Sequence, residues 1–179
     1  MILIRPAATA LPLTLVLTLV LTLAACTAAL AAEPSGCDKF KWDIARERAA
    51  LTAADRQKLT SGAEIAAIPA TGIVLELRPA AEAKLPTAPE RAPKDGTFAG
   101  LTRIAAAPKA GVYTISLSTA AWIDVVQDGK ILKPIAFSGA TDCDGIRKTV
   151  KYELGPQPFA LQVSGAPETT IAVAILPAE

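Results

Sequence analysis

Three runs in the C-terminal half of the chain alternate apolar and polar side chains with a period of two. Tyr113, Ile115 and Leu117 interleave with Thr114, Ser116 and Ser118; Val150, Tyr152 and Leu154 with Lys151 and Glu153; Phe159, Leu161 and Val163 with Gln162 and Ser164. Such alternation sends one side chain into a core and the next out of it, which predicts half-buried strands. Ile171, Val173 and Ile175 close the chain in the same way, and Ile73, Leu75 and Leu77 open the series with Glu76 and Arg78 on the other face. Residues 97 to 106 predict another strand, broken at 108 to 111. Residues 121 to 127 form a more uniformly apolar one, and Asp128-Gly129 is a two-residue hairpin signal leading into 130 to 137. The spacing is that of an all-β antiparallel sandwich or jelly roll of about eight strands.

A helical period appears near the start of this unit. Asp43 can cap a short helix over 43 to 51 whose inward face takes Ile44, Arg48 and Leu51, with Glu47 placed to pair with neighbouring arginines. Thr52-Ala53-Ala54-Asp55 has the spacing of a capping box and predicts a second short turn through Leu59 to about Gly62. Pro79, Pro86, Pro89 and Pro93 fall among alanines and charges, where missing amide donors favour extended chain, so 80 to 95 reads as a long surface connection.

Ahead of all this, a lone Arg5, an apolar run over 11 to 23 and the small residues Ala29-Leu30-Ala31 make an export signal over 1 to 31. The run falls short of the roughly 20 residues of a membrane span. Two processing sites compete. Leu23-Ala24-Ala25-Cys26 has the form of a lipobox, which would acylate Cys26 and tether the protein, whereas cleavage after Ala31 would free it. Either route leaves Cys37 and Cys143 as the two thiols able to pair, and an oxidising compartment predicts a disulfide between them.

Residues 32 to 179 suffice for one domain with a real core. Without Arg5, 17 basic residues face 17 acidic ones, which disfavours a nucleic-acid partner. The chain contains no histidine. That removes Ser-His-Asp and Cys-His catalysis, HExxH zinc sites and two-His-one-carboxylate iron centres. No serine has lysine three positions on, GxSxG is absent, and neither phosphate-binding glycine motif occurs. The sequence thus requires no cofactor and no metal.

Four groups of residues merit weighing. Asp142-Cys143-Asp144-Gly145 contains a fragment of a calcium loop but lacks its third ligand and distant glutamate, so a disulfide-pinned turn is the stronger reading. Trp122 and Asp124 share one strand face; exposed, they would make a sugar-binding platform, and buried, a core tryptophan with an internally satisfied carboxylate. Arg147, Lys148 and Lys151 form a basic cluster, read as a solvated strand face with cross-strand ion pairs. Asp124 with Glu153 is the carboxylate pair open to glycoside cleavage, if close enough.

Gly-Val-Tyr-Thr-Ile-Ser-Leu-Ser at 111 to 118 and Pro-Phe-Ala-Leu-Gln-Val-Ser-Gly at 158 to 165 resemble bacterial pre-peptidase C-terminal domains, which are small exported β-sandwiches. Cys37-Asp38-Lys39-Phe40-Lys41-Trp42, the segment 121 to 129, and Cys143 through Lys148 resemble an uncharacterised family of small exported bacterial proteins, some labelled homogentisate 1,2-dioxygenase. That label implies an iron centre with histidine ligands, which this histidine-free chain cannot build. The expectation is a non-catalytic exported β-sandwich that binds a protein or glycan partner in the periplasm or cell envelope. The alternatives are a carboxylate-based hydrolase and a structural envelope lipoprotein.

Overall fold

The computed structural model describes residues 32–105 and 109–179, and Ala32–Glu179 forms a compact unit. The expected export signal over 1 to 31, with Cys26, lies outside the described residues. Among the described residues, twelve strands build two sheets. The first runs in the order β1 (Gln57–Thr60), β3 (Ile73–Glu76), β12 (Thr170–Pro177), β6 (Gly111–Leu117), β10 (Lys148–Leu154), β9 (Ala136–Gly139). The second runs β2 (Glu64–Ile65), β5 (Phe98–Ile104), β11 (Phe159–Ala166), β7 (Trp122–Gln127), β8 (Lys130–Ile131), with β4 (Arg78–Pro79) paired to β5. The fold is an all-β sandwich. It is not purely antiparallel, because β1 and β3, and β2 and β5, run parallel.

The alternating positions meet between the sheets. Ile115 lies opposite Val150 and Ile175 in the first sheet, and Leu161 lies opposite Val125 in the second. All belong to one apolar cluster with Leu75, Leu117, Tyr152, Phe159, Val163 and Val173. Each such side chain contributes about 1.5–3 kcal/mol by leaving water, so this interior dominates the stability. Asp128 (φ 52°) and Gly129 (φ 71°) supply the two positive φ angles that a two-residue hairpin needs, and they turn β7 into β8.

Several expectations are corrected. Residues 130 to 137 do not form one strand: β8 stays beside β7, whereas β9 crosses to the other sheet beside β10, with Pro134, which lacks an amide donor, between them. The count therefore exceeds eight, and β1, β2 and β4 are further short strands invisible as periodic runs. Residues 57 to 60 form a strand rather than a helical turn. Arg56 donates from Nη1 to the Leu51 carbonyl and from Nε to the Ala53 carbonyl, satisfying the helix end and releasing the next four residues to pair with β3. The helix α1 (Ala45–Thr52) begins where Asp43 Oδ1 accepts from the Ala45 amide at 3.0 Å, but its inward face takes Glu47 in place of Arg48. Arg48 turns outward and donates to the Asp144 carbonyl at 2.6 Å. Among the described residues no arginine pairs with Glu47, and Arg46 reaches Glu179 instead.

Both outer faces of the sandwich are covered. On the first sheet, Ile44, Ala50 and Leu51 cluster with Ala172 and Ala174 of β12 and with Cys143 and Ile146. That layer buries the hydroxyl-bearing side of β6, where Ser116 Oγ donates to Thr149 Oγ1 at 3.0 Å. Cys37 and Cys143 are joined, with Cα atoms 4.8 Å apart, which staples residues 37 to 42 to this layer. Among the described residues, no helix is long and apolar enough to cross a membrane.

Candidate functional site

Ile123 and Val125 point into the core, so alternation along β7 sends Trp122, Asp124 and Val126 to the outer face of the second sheet. The segment 80 to 95 crosses this face. The Thr87 amide donates to Gln162 Oε1 at 3.2 Å and the Gln162 amide returns a bond to the Thr87 carbonyl at 3.0 Å, while Gln162 stands directly opposite Asp124 on β11. The proline-rich connection is thus a strap that buries its own Ala83, although many of its side chains do face solvent.

Under this strap Asp124 is 1% exposed. Trp122 Nε1 donates to its Oδ1 at 2.8 Å, whereas Oδ2 has no hydrogen-bond partner; nor does the hydroxyl of buried Ser164, which sits opposite Trp122 on β11. Burial pushes the Asp124 carboxyl above the usual carboxylate range, against the pull of the Trp122 indole, the nearby Glu90 amide and the Lys148 charge. Lys148 projects from the end of β10 with its ammonium 5.0 Å from the Trp122 ring centre, and it donates to the Ala121 carbonyl at 3.3 Å. Burial lowers its pKa, and Arg147 and Arg91 lower it further while Asp124 opposes them. Tyr152 donates its hydroxyl to the Ile123 carbonyl at 3.1 Å, and burial pushes that hydroxyl well above its ordinary range.

Trp122 and Asp124 are therefore together, but they serve each other. The indole donor is spent on the carboxylate, and the carboxylate is shut off from solvent. Glu153 stands exposed on the outer side of the first sheet, so it and Asp124 occupy opposite faces of the molecule. The basic cluster does not form the expected solvated face either. Arg147 pairs with Glu33, Lys148 leans on Trp122, and Lys151 lies over the Trp42 ring at 4.6 Å. Among the described residues, no three His, Cys, Asp or Glu side chains gather as metal ligands. Asp142 accepts from Ser35, and Asp144 lends its carbonyl to Arg48, in the turn held by the disulfide.

Two surfaces went unnoticed in the sequence. The first is the rim of the first sheet. There β9 is an edge strand, and Ile135 (55% exposed) and Phe137 (63% exposed) stand out in solvent, with Lys41 4.9 Å from the Phe137 ring centre. Their positions after Pro134 gave a signal only of strand. The second is a cavity of about 220 Å³ beside the strap, with Arg78, Lys84 and Arg103 around it and Leu101 beneath. Its residues come from four separate segments, so no local motif marked it.

Comparison with family models, with characterised proteins and with solved structures finds no match. Fold and site geometry define the class: an all-β sandwich, stapled by a disulfide, with both outer faces layered over.

Proposed function

We propose that the chain is an exported, non-catalytic β-sandwich that engages a protein partner of the cell envelope along β9. The observation that carries this reading is the exposure of Ile135 and Phe137 at a sheet edge, while among the described residues the other large apolar side chains, apart from a marginal Val112, are buried or half-buried. Each is more than half exposed and leaves unrealised part of the roughly 1.5–3 kcal/mol of full burial, and an edge strand is a ready template for an added one. Lys41 over Phe137, with exposed Lys133 nearby, sets a cationic rim that suits an extended apolar segment flanked by acidic residues. The N-terminal signal and the Cys37–Cys143 bridge support export into an oxidising compartment.

Other readings have less behind them. A hydrolase built on Asp124 with Glu153 loses its support, since the two lie on opposite faces. A glycan platform at Trp122 would need an indole and a carboxylate that are already bonded to each other. The test is photocrosslinking in the producing cells with a crosslinkable residue at Phe137 and a control at Glu153. One discrete protein adduct from position 137, absent from position 153, is expected. No adduct, or the same adducts from both positions, overturns the proposal.

A further inference from the structure

We infer that Arg78, Lys84 and Arg103 form a binding site for a phosphate group on the outer face of the second sheet, independent of the β9 edge. The three cations converge from different places: Arg78 from β4, Lys84 from the strap and Arg103 from β5. Glu82 is the one carboxylate in the lining, so the cavity carries a net positive charge. Among the described residues, none of the three cations is in an ion pair; the pairs present are Lys39–Asp38, Arg46–Glu179 and Arg147–Glu33. All three are exposed, so water screens the repulsion among them, and an anion seated in the hollow gains from each.

The local geometry presents donors to the hollow. Arg103 Nη1 bonds the Gly62 carbonyl at 3.2 Å, which fixes the guanidinium while its other donors stay uncommitted among the described residues. Ser61 Oγ accepts from the Leu101 amide at 3.2 Å, leaving its own O–H to donate. Lys84 adopts φ 46°, an unusual backbone for a non-glycine residue, at the point where the strap turns beside the cavity.

The hollow of about 220 Å³ is open to solvent on one side, so it can seat a compact group while anything attached to that group stays outside. It suits one compact oxyanion. Two guanidinium forks and an ammonium match a tetrahedral dianion better than they match a planar carboxylate, because each fork can take two oxygens. The phosphate can be free or can be an ester on a sugar whose remainder lies outside the hollow.

The test is calorimetric titration of the mature protein at low ionic strength with inorganic phosphate and with glucose 6-phosphate, and with chloride as the control. Saturable binding of at least one phosphate probe is expected, none with chloride, and at least tenfold weaker binding in R78Q/K84Q. Both substituted residues are exposed, so an unchanged melting temperature without ligand is expected to show that the variant is folded. Preference for glucose 6-phosphate assigns the site to an ester, and equal affinities assign it to the oxyanion alone; either supports the site. Absence of saturable binding to both probes, or unaltered affinity in the folded double variant, overturns it.

Discussion

Trp122 Nε1 donates to Asp124 Oδ1 at 2.8 Å from two residues back along the same face of β7, and the other oxygen of that carboxylate is left without a partner. Burial raises the carboxyl's pKa, so the folded state holds this proton more tightly than the unfolded chain, whose value is near 3.8. The group's contribution to stability is complete at acid pH and is lost as pH rises through the raised value. Asp124→Asn stays neutral throughout. Its melting temperature is expected to exceed that of the wild type at pH 7, with the difference shrinking toward pH 3.8. A melting temperature below wild type at pH 7 would contradict this account.

The Cys37–Cys143 bridge spans a sequence separation of 106. Chain-entropy reasoning gives a closure of that length about 4 to 5 kcal/mol, acting mainly on the unfolded state. Cys37→Ala/Cys143→Ala is expected to lose about that much in urea unfolding, and reductant is expected to lower the wild-type midpoint but not the variant's. An equal response of both proteins to reductant would exclude the bridge as the cause.

At the centre of the core, Leu161 and Leu117 are wholly buried on opposing sheets. Leu161→Ala and Leu117→Ala are each expected to cost about 2–5 kcal/mol, measured by denaturant titration. By contrast, Ile135→Ser/Phe137→Ser removes side chains that stand in water, and its stability is expected to stay within about 0.5 kcal/mol of wild type. A large loss there would mean that β9 is a folding element and not a free edge.

The legibility of the sequence follows its periodicity. Where a strand is long and paired on both sides, as β6, β10, β11 and β12 are, the core face needs every second side chain to be apolar, and the pattern is written plainly into residues 111–117, 148–154 and 159–175. The two-residue strands β2, β4 and β8 carry no such period, because two residues cannot display one. Arg48 looked inward by spacing, yet Glu47 took that place when the helix settled on β12. Cys37 and Cys143 were legible by elimination, since no other thiol remained. The partnership of Trp122 and Asp124 was legible only as a shared face, because what buries it is a distant strap anchored by Thr87 and Gln162. The cavity cations arrive from segments unrelated in sequence and left no trace.

Gly72 shows how closely the helix layer fits the first sheet. A β-carbon there would lie 2.6 Å from the Ala50 carbonyl oxygen and 3.1 Å from that of Val173, both main-chain atoms that cannot swing aside. Gly72→Ala is expected to destabilise the protein by about 1–3 kcal/mol in urea unfolding. A neutral result would mean that the α1 layer shifts readily.

The apolar contacts beneath α1 form a cluster distinct from the sandwich interior, joined to it through the backbone of β12 rather than through interleaved side chains. Two clusters that share so little can open at different free energies. Amide protons of α1 should therefore exchange with deuterium earlier than those of β6 and β11, a sub-global loosening that leaves the central strands protected and exposes fresh apolar surface on the first sheet.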